Sequence, residues 1–166
     1  MDKQLSDKEL KLEELVKNFC KFDLVWEQPF LAEKEPEYTK RVLLPQFTAF
    51  VDSLSDRQLT LASDGSSARP GSVLVGHAQS FYPDLSISLH GKRTIAFEVK
   101  YIGEQSYSAR LATAVGQALI YTAFGYRFSH ALLVSEKGNN SFMVEDLGIL
   151  NEKLKQAEVS LHLISK

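Results

Sequence analysis

The chain has 166 residues, 44% of them hydrophobic and 24% charged, which suits a single soluble domain large enough to build a core without staples. Its net charge of -2 at pH 7 is not that of a dedicated nucleic-acid-binding domain, which is usually basic. The one cysteine, Cys20, excludes an internal disulfide framework and a four-cysteine iron–sulfur cluster and fits a reducing cytoplasm; no apolar run is long enough for a transmembrane helix, and Met1-Asp2-Lys3-Gln4 does not begin a signal peptide.

Ser6-Asp7-Lys8-Glu9 has the spacing of a capping box, and Leu10, Leu12, Leu15, Val16 and Phe19 follow at helical spacing. This predicts an amphipathic helix ending near Cys20. Phe22 to Phe30, with Trp26 and Pro29, reads as an extended segment or loop packed on the core, with Trp26 as an anchor. Pro36 suits the first turn of a second helix carrying Tyr38, Val42, Leu43, Phe47, Phe50, Val51 and Leu54. Pro45 inside it predicts a kink or a break. Ser63 to Ser72, with Asp64-Gly65 and Arg69-Pro70-Gly71, reads as a flexible loop, either a plain connector or a substrate contact. Val73-Leu74-Val75 then reads as the first core strand. His77 follows it, and a structural or surface histidine is the simpler account of that residue.

The next stretch organises the chain. Leu85, Ile87 and Leu89 alternate with Asp84, Ser86 and Ser88; Ile95, Phe97, Val99 and Tyr101 alternate with Ala96, Glu98 and Lys100. Period two on both sides of a turn containing Gly91 predicts an antiparallel hairpin. Matching the apolar faces through a loop of about three residues sets Leu85 opposite Phe97, Ile87 opposite Ile95 and Asp84 opposite Glu98, with Lys100 one pleat along. Directly opposed Cβ atoms sit about 4.5–5.5 Å apart. Two carboxylates so close need a proton, a lysine or a cation between them. An oxygen-ligated Mg²⁺ fits, held by Asp84 and Glu98, with Lys100 orienting or helping to deprotonate a water. A salt-bridge cluster without metal is the plain alternative.

A helix from about Ser106 to Phe124 follows, with Leu111, Val115, Ala118, Leu119 and Thr122 as its expected buried stripe and Gly125 as its C-terminal cap. Arg110, Thr113, Gln117 and Tyr121 share another stripe. Facing the polar side of the hairpin, that stripe would bring Gln117 to the metal, Tyr121 to the substrate strand and Arg110 to a phosphate further out. His130 to Val134 reads as a buried strand parallel to its neighbour, Phe142 to Val144 as a short strand, Leu147 to Ala157 as a helix and Val159 to Ile164 as a last strand.

Pro83-Asp84, then Glu98-Val99-Lys100 on the next strand, resembles the PD-(D/E)xK signature of restriction endonucleases, Holliday-junction resolvases and RecB-type exonucleases. Gln117 and Tyr121, four apart on the following helix, resemble the QxxxY motif of the RecB-like branch. The resemblance covers about the middle third of the chain. It implies an α/β fold of the restriction-endonuclease type, a sandwich with a mixed central sheet (β-meander, crossover helix, strand) flanked by helices. Residues 1–166 would form one domain: a helical part to about 55, a catalytic core over about 56–135 and a strand–helix–strand end. It further implies a Mg²⁺- or Mn²⁺-dependent cytoplasmic nuclease acting on DNA, with RNA left open. Asp84, Glu98, Lys100 and Gln117 would be catalytic, and Tyr121 and Arg110 would bind nucleic acid. An acidic residue on the preceding helix assists the metal in several such families, and Glu37 is the candidate here. Arg69, Lys92, Arg93, Lys100 and Arg110 would offset the acidic total near the site.

A catalytically silent subunit of the same fold, binding DNA or protein, is the alternative. A homodimer or a partner subunit suits either reading. A small-molecule α/β enzyme finds no Gly-rich phosphate loop or nucleophile elbow in the sequence.

Overall fold

The computed structural model describes residues 6–25, 35–64, 66–76, 79–102, 107–135 and 141–165. Trp26, Pro29, Phe30 and His77 lie outside them. The capping box forms as its spacing predicts. The Glu9 N–H donates to the Ser6 hydroxyl at 3.3 Å and the Ser6 N–H donates to the Glu9 carboxylate at 3.2 Å, starting α1 (Asp7–Asn18). The helical path runs past Cys20 in a wider π-type turn, Phe19–Asp23. Leu10 and Leu15 are 44% and 37% exposed, and the buried stripe is Leu12, Glu13 and Val16. A glutamate thus occupies the middle of the face expected to be apolar.

Pro36 lies in α2 (Glu35–Tyr38). A second π-type turn, Thr39–Leu43, leads into α3 (Leu44–Ser53), whose first turn holds Pro45. Proline lacks an N–H and clashes with the carbonyl four residues back. The wide turn makes room for it, so the expected kink or break takes the form of a change in helical winding. Gln46 then ties down the segment after α1, accepting from the Val25 N–H at 2.8 Å and donating to its carbonyl at 2.9 Å.

The strands are β1 (Leu59–Ser63), β2 (Val73–Val75), β3 (Gln79–Phe81), β4 (Leu85–Leu89) and β5 (Lys92–Ile102). After β5 come α4 (Tyr107–Phe124), β6 (Phe128–Ser135), α5 (Ser141–Leu154) and β7 (Val159–Ser165). Five strands make one mixed sheet in the order β1-β4-β5-β6-β7, antiparallel through β5 and parallel from β5 to β7. Three expectations change. Val73–Val75 does not begin the main sheet but pairs with β3 in a separate two-stranded ribbon. The first strand of the main sheet is β1, which has no clean alternation to mark it. Phe142–Val144 is helical, the start of α5.

The hairpin register is as derived, Leu85 with Phe97 and Ile87 with Ile95. The route differs. The turn has two residues, His90 and Gly91, with φ of 53° and 72°, the signs of a type I′ hairpin turn. Thr94 is the extra residue of a bulge between the Ser88–Arg93 and Ile87–Ile95 pairs. Its hydroxyl accepts from the Leu89 N–H at 3.1 Å and donates to the Lys92 carbonyl at 3.0 Å. A two-residue turn plus one bulged residue gives the same parity as a three-residue loop.

Helices cover both faces. Ile87, Ile95, Phe97, Val99, Leu132 and Val134 pack against α1, α2 and α3. Ala131, Leu133 and Leu161 pack against α4 and α5 on the other face. Asn151 of α5 covers the β7 edge: its amide accepts from the Leu161 N–H at 2.7 Å and donates to the Leu161 carbonyl at 3.0 Å. Among the described residues no helix is long and apolar enough to cross a membrane.

Candidate functional site

Glu98 is on the α4 face of β5, because its neighbours Phe97 and Val99 point into the α1–α3 core. Asp84 immediately precedes β4. Its N–H donates to the Phe97 carbonyl at 3.0 Å, continuing the hairpin ladder by one residue. The Val99 N–H donates to Asp84 Oδ2 at 2.7 Å. The Asp64 N–H donates to the Asp84 carbonyl at 3.0 Å, which ties the residue after β1 to the backbone of the aspartate. The Ser66 hydroxyl lies 2.6 Å from the Ala68 carbonyl.

Glu98 is 2% exposed. Lys100 Nζ donates to its Oε1 at 2.5 Å and to the Val99 carbonyl at 3.1 Å. The Tyr121 hydroxyl lies 2.7 Å from Glu98 Oε2 and 3.0 Å from the Tyr82 carbonyl. One hydroxyl proton therefore serves two acceptors. Burial first, then the charge of Glu98, pushes Asp84 up to about 7, against the Val99 N–H and Lys100. Burial also raises Glu98, opposed by Lys100. Burial would lower Lys100, but the Glu98 carboxylate outweighs it and the net shift is upward. In this arrangement Lys100 is an ammonium that donates, rather than a base. Two carboxylates held above their ordinary range are short of positive charge.

Tyr121 is fully buried, beneath Glu98, and not at a surface where a nucleic-acid strand would pass. Burial, with Glu98 beside it, pushes its hydroxyl up, so it stays a donor. Ala114, Ala118 and Tyr121 form the buried line of α4, whereas the expected Leu111, Val115 and Leu119 are only half-buried, against the second core. Gln117 is one turn before Tyr121 on the same stripe, and its buried Oε1 has no hydrogen-bond partner. A buried oxygen without a partner, one turn from the tyrosine that holds Glu98, lacks a donor.

The helix glutamate at this site is Glu35, two residues before the expected Glu37, which is exposed. The Tyr101 N–H donates to Glu35 Oε2 at 2.7 Å and Arg110 donates to Oε1 at 2.9 Å. Its charge also raises Asp84, Glu98 and Lys100. Arg110, 43% exposed in its side chain, is engaged by that pair. Of the other expected cations, Arg69 is exposed and Arg93 donates to the Ser72 carbonyl at 2.6 Å. Lys92 and Arg93 line a cleft of about 1320 Å³ with Tyr126 and Arg127, at the other end of β5 from Lys100.

No protein-family model, curated protein or solved structure matches this chain.

A second polar group went unread in the sequence. Glu13 of α1, His130 of β6 and His162 of β7 form a hydrogen-bonded chain with 2.8 Å links at both histidine contacts. Glu13 also pairs with Lys17 at 2.9 Å. The available signal was a histidine, His130, inside a run otherwise suited to complete burial; such a group needs a partner.

Proposed function

We propose that the chain is a divalent-metal-dependent nuclease of the restriction-endonuclease-like fold, hydrolysing phosphodiester bonds of DNA. The observation that carries the reading is the pair Asp84, just before β4, and Glu98, on β5, both raised by burial, with Lys100 on Glu98 and the open Oε1 of Gln117 one turn from Tyr121. Hard oxygen donors of this kind suit Mg²⁺ or Mn²⁺. Asp84 and Glu98 would hold the ion, which supplies charge stabilisation at phosphate and an activated water. Lys100 holds the Glu98 oxygen and presents its ammonium towards a scissile phosphate. Tyr121 fixes the rotamer of Glu98. Glu35 orients Arg110 at the rim, where a backbone phosphate would meet it.

One observation favours a second reading, a silent subunit of the same fold: both Glu98 oxygens already have donors, Lys100 and Tyr121. The test incubates purified protein with supercoiled plasmid, linear duplex and single strands, with and without Mg²⁺ or Mn²⁺, beside Glu98→Ala. Cutting that needs metal and is absent from the variant is the expected result. No cutting, with no Mn²⁺ bound at the carboxylates, would leave the silent subunit. Equal cutting by purified Glu98→Ala would overturn the assignment of the site.

A further inference from the structure

We propose that Cys20, His130 and His162 form a second metal site, for Zn²⁺, on the opposite face of the sheet from Asp84 and Glu98. The proposal is independent of the nuclease reading. His130 and Phe97 are register partners on β6 and β5, so His130 points into the α1–α3 core, whereas Glu98 points under α4. His162 pairs with Leu132 and shares that side. Cys20 comes from the π-type turn after α1. The ligand atoms of the three residues lie within 4.8 Å of one another. In a tetrahedral zinc site the donors stand about 3.3–3.6 Å apart, as bond lengths of about 2.3 Å to sulfur and 2.0–2.1 Å to nitrogen require. Side-chain rotations would reach that spacing, opening the 2.8 Å pair of histidine nitrogens slightly.

The hydrogen bonds fix which atoms are ligands. His130 Nε2 is 2.8 Å from Glu13 Oε2. A carboxylate accepts only, so this nitrogen carries a proton, and in the neutral ring that a metal requires His130 Nδ1 carries the lone pair. Nδ1 faces His162 Nε2 at 2.8 Å. Between two neutral rings without metal, His162 would donate to it. With metal, both nitrogens turn lone pairs to the ion and the His162 proton moves to its other nitrogen. Glu13–His130–metal is then the carboxylate–histidine arrangement that orients ligating imidazoles. Lys17, paired with Glu13, stands behind it.

The choice of ion follows from the donors. One thiolate and two imidazoles are too soft for Mg²⁺ and suit Zn²⁺. Binding replaces the Cys20 S–H bond with a sulfur–metal bond and releases that proton to solvent. Access exists: Cys20 and His162 line a surface cleft of about 600 Å³, with Lys17, Lys21 and Asn151 on its walls. The fourth position of the metal faces this cleft and takes a water or an anion. The site would cross-link the turn after α1 to β6 and β7, which lie more than a hundred residues away in the chain.

The test uses the full chain, stripped with a chelator, dialysed and titrated with Co²⁺ followed by Zn²⁺. One equivalent of Co²⁺ should give a thiolate charge-transfer band, and one equivalent of Zn²⁺ should remove it. The chain has a single cysteine, so such a band can arise only at Cys20. Excess Mg²⁺ should not compete. Asp84→Asn should keep the full signal and Zn²⁺ should raise its Tm, which separates this site from the carboxylate pair. Glu13→Gln should weaken Co²⁺ binding about 10–100-fold with the band intact. His162→Gln should lose tight binding, with circular dichroism confirming that it is folded. Co²⁺ bound by the wild type without a thiolate band, no stoichiometric binding, or a band lost in Asp84→Asn would each overturn the proposal.

Discussion

Two buried polar clusters flank one sheet, and they are built differently. On the α4 face, Asp84, Glu98 and Lys100 lie on one hairpin, with their main partner, Tyr121, one helix later. On the α1 face, Glu13, Cys20, His130 and His162 come from four elements, and the Glu13–His130 contact spans 117 residues. The first cluster is acidic, oxygen-rich and short of positive charge; the second is nitrogen- and sulfur-bearing, with both nitrogens of His130 hydrogen-bonded. One sheet therefore keeps the Asp84–Glu98 pair and the cysteine–histidine group on opposite faces, because alternate residues of a strand face opposite ways.

The largest expected effect would separate the two faces by activity. Glu98→Ala or Asp84→Ala should lower metal-dependent cleavage by at least about 10²-fold, whereas His162→Gln should leave cleavage unchanged when assayed on folded protein. Plasmid-nicking rates decide it, and comparable losses on both faces would break the division. Next is Tyr121→Phe. It removes the donor on Glu98 Oε2 and should cost about 10–100-fold in metal affinity or rate, as partners behind metal ligands do. Mn²⁺ titration and kinetics on the same preparation measure both.

The faces should also respond oppositely to pH. Burial, with Glu98 beside it, raises Asp84 to about 7 from an ordinary 3.8, so the folded metal-free chain binds the extra proton in that window. Stability from this group grows as pH falls through 7 and is lost as pH rises. Asp84→Asn should therefore stabilise the metal-free protein at pH 8 by about 1–2 kcal/mol, less than the raw shift because the group is partly exposed. Burial, then His130 and Lys17, holds His162 well below 6.5. Here the unfolded chain takes the proton first, so stability falls as pH drops below 6.5, by up to about 1.4 kcal/mol per pH unit. Urea midpoints at pH 8, 6.5 and 5.5, for Asp84→Asn with and without His162→Gln, should show that slope vanish with the histidine. The smallest effect belongs to the rim: Arg110→Ala breaks a part-exposed pair with Glu35 and should change stability by about 0–1 kcal/mol.

The carboxylate face was legible for a physical reason. Strand periodicity and parity set the Leu85–Phe97 and Ile87–Ile95 register, and the same arithmetic placed Asp84 beside Glu98 without any long-range information. The turn and bulge were hidden because a three-residue loop and a two-residue turn with a bulged Thr94 have the same parity. β1 was hidden because Leu59–Ser63 is half-buried without clean alternation. Glu35 could not be told from Glu37 by sequence; both sit in the first turn, and only the docking of α2 beside β5 turns one towards the Tyr101 N–H and Arg110.

Features that depend on near neighbours were set along the chain: the capped first helix, the hairpin with its two acids, and the long helix carrying Gln117 and Tyr121. Capping, period and parity act within a few residues, so they can be read along the chain. Tertiary structure alone decided which polar groups lose water together. It put Tyr121 under Glu98 and not at a substrate strand, made Glu13 a buried partner of His130 on a face expected to be apolar, and set Cys20 beside two histidines. Those contacts depend on how helices dock across a sheet, and a buried polar group takes its partner from whatever element arrives there.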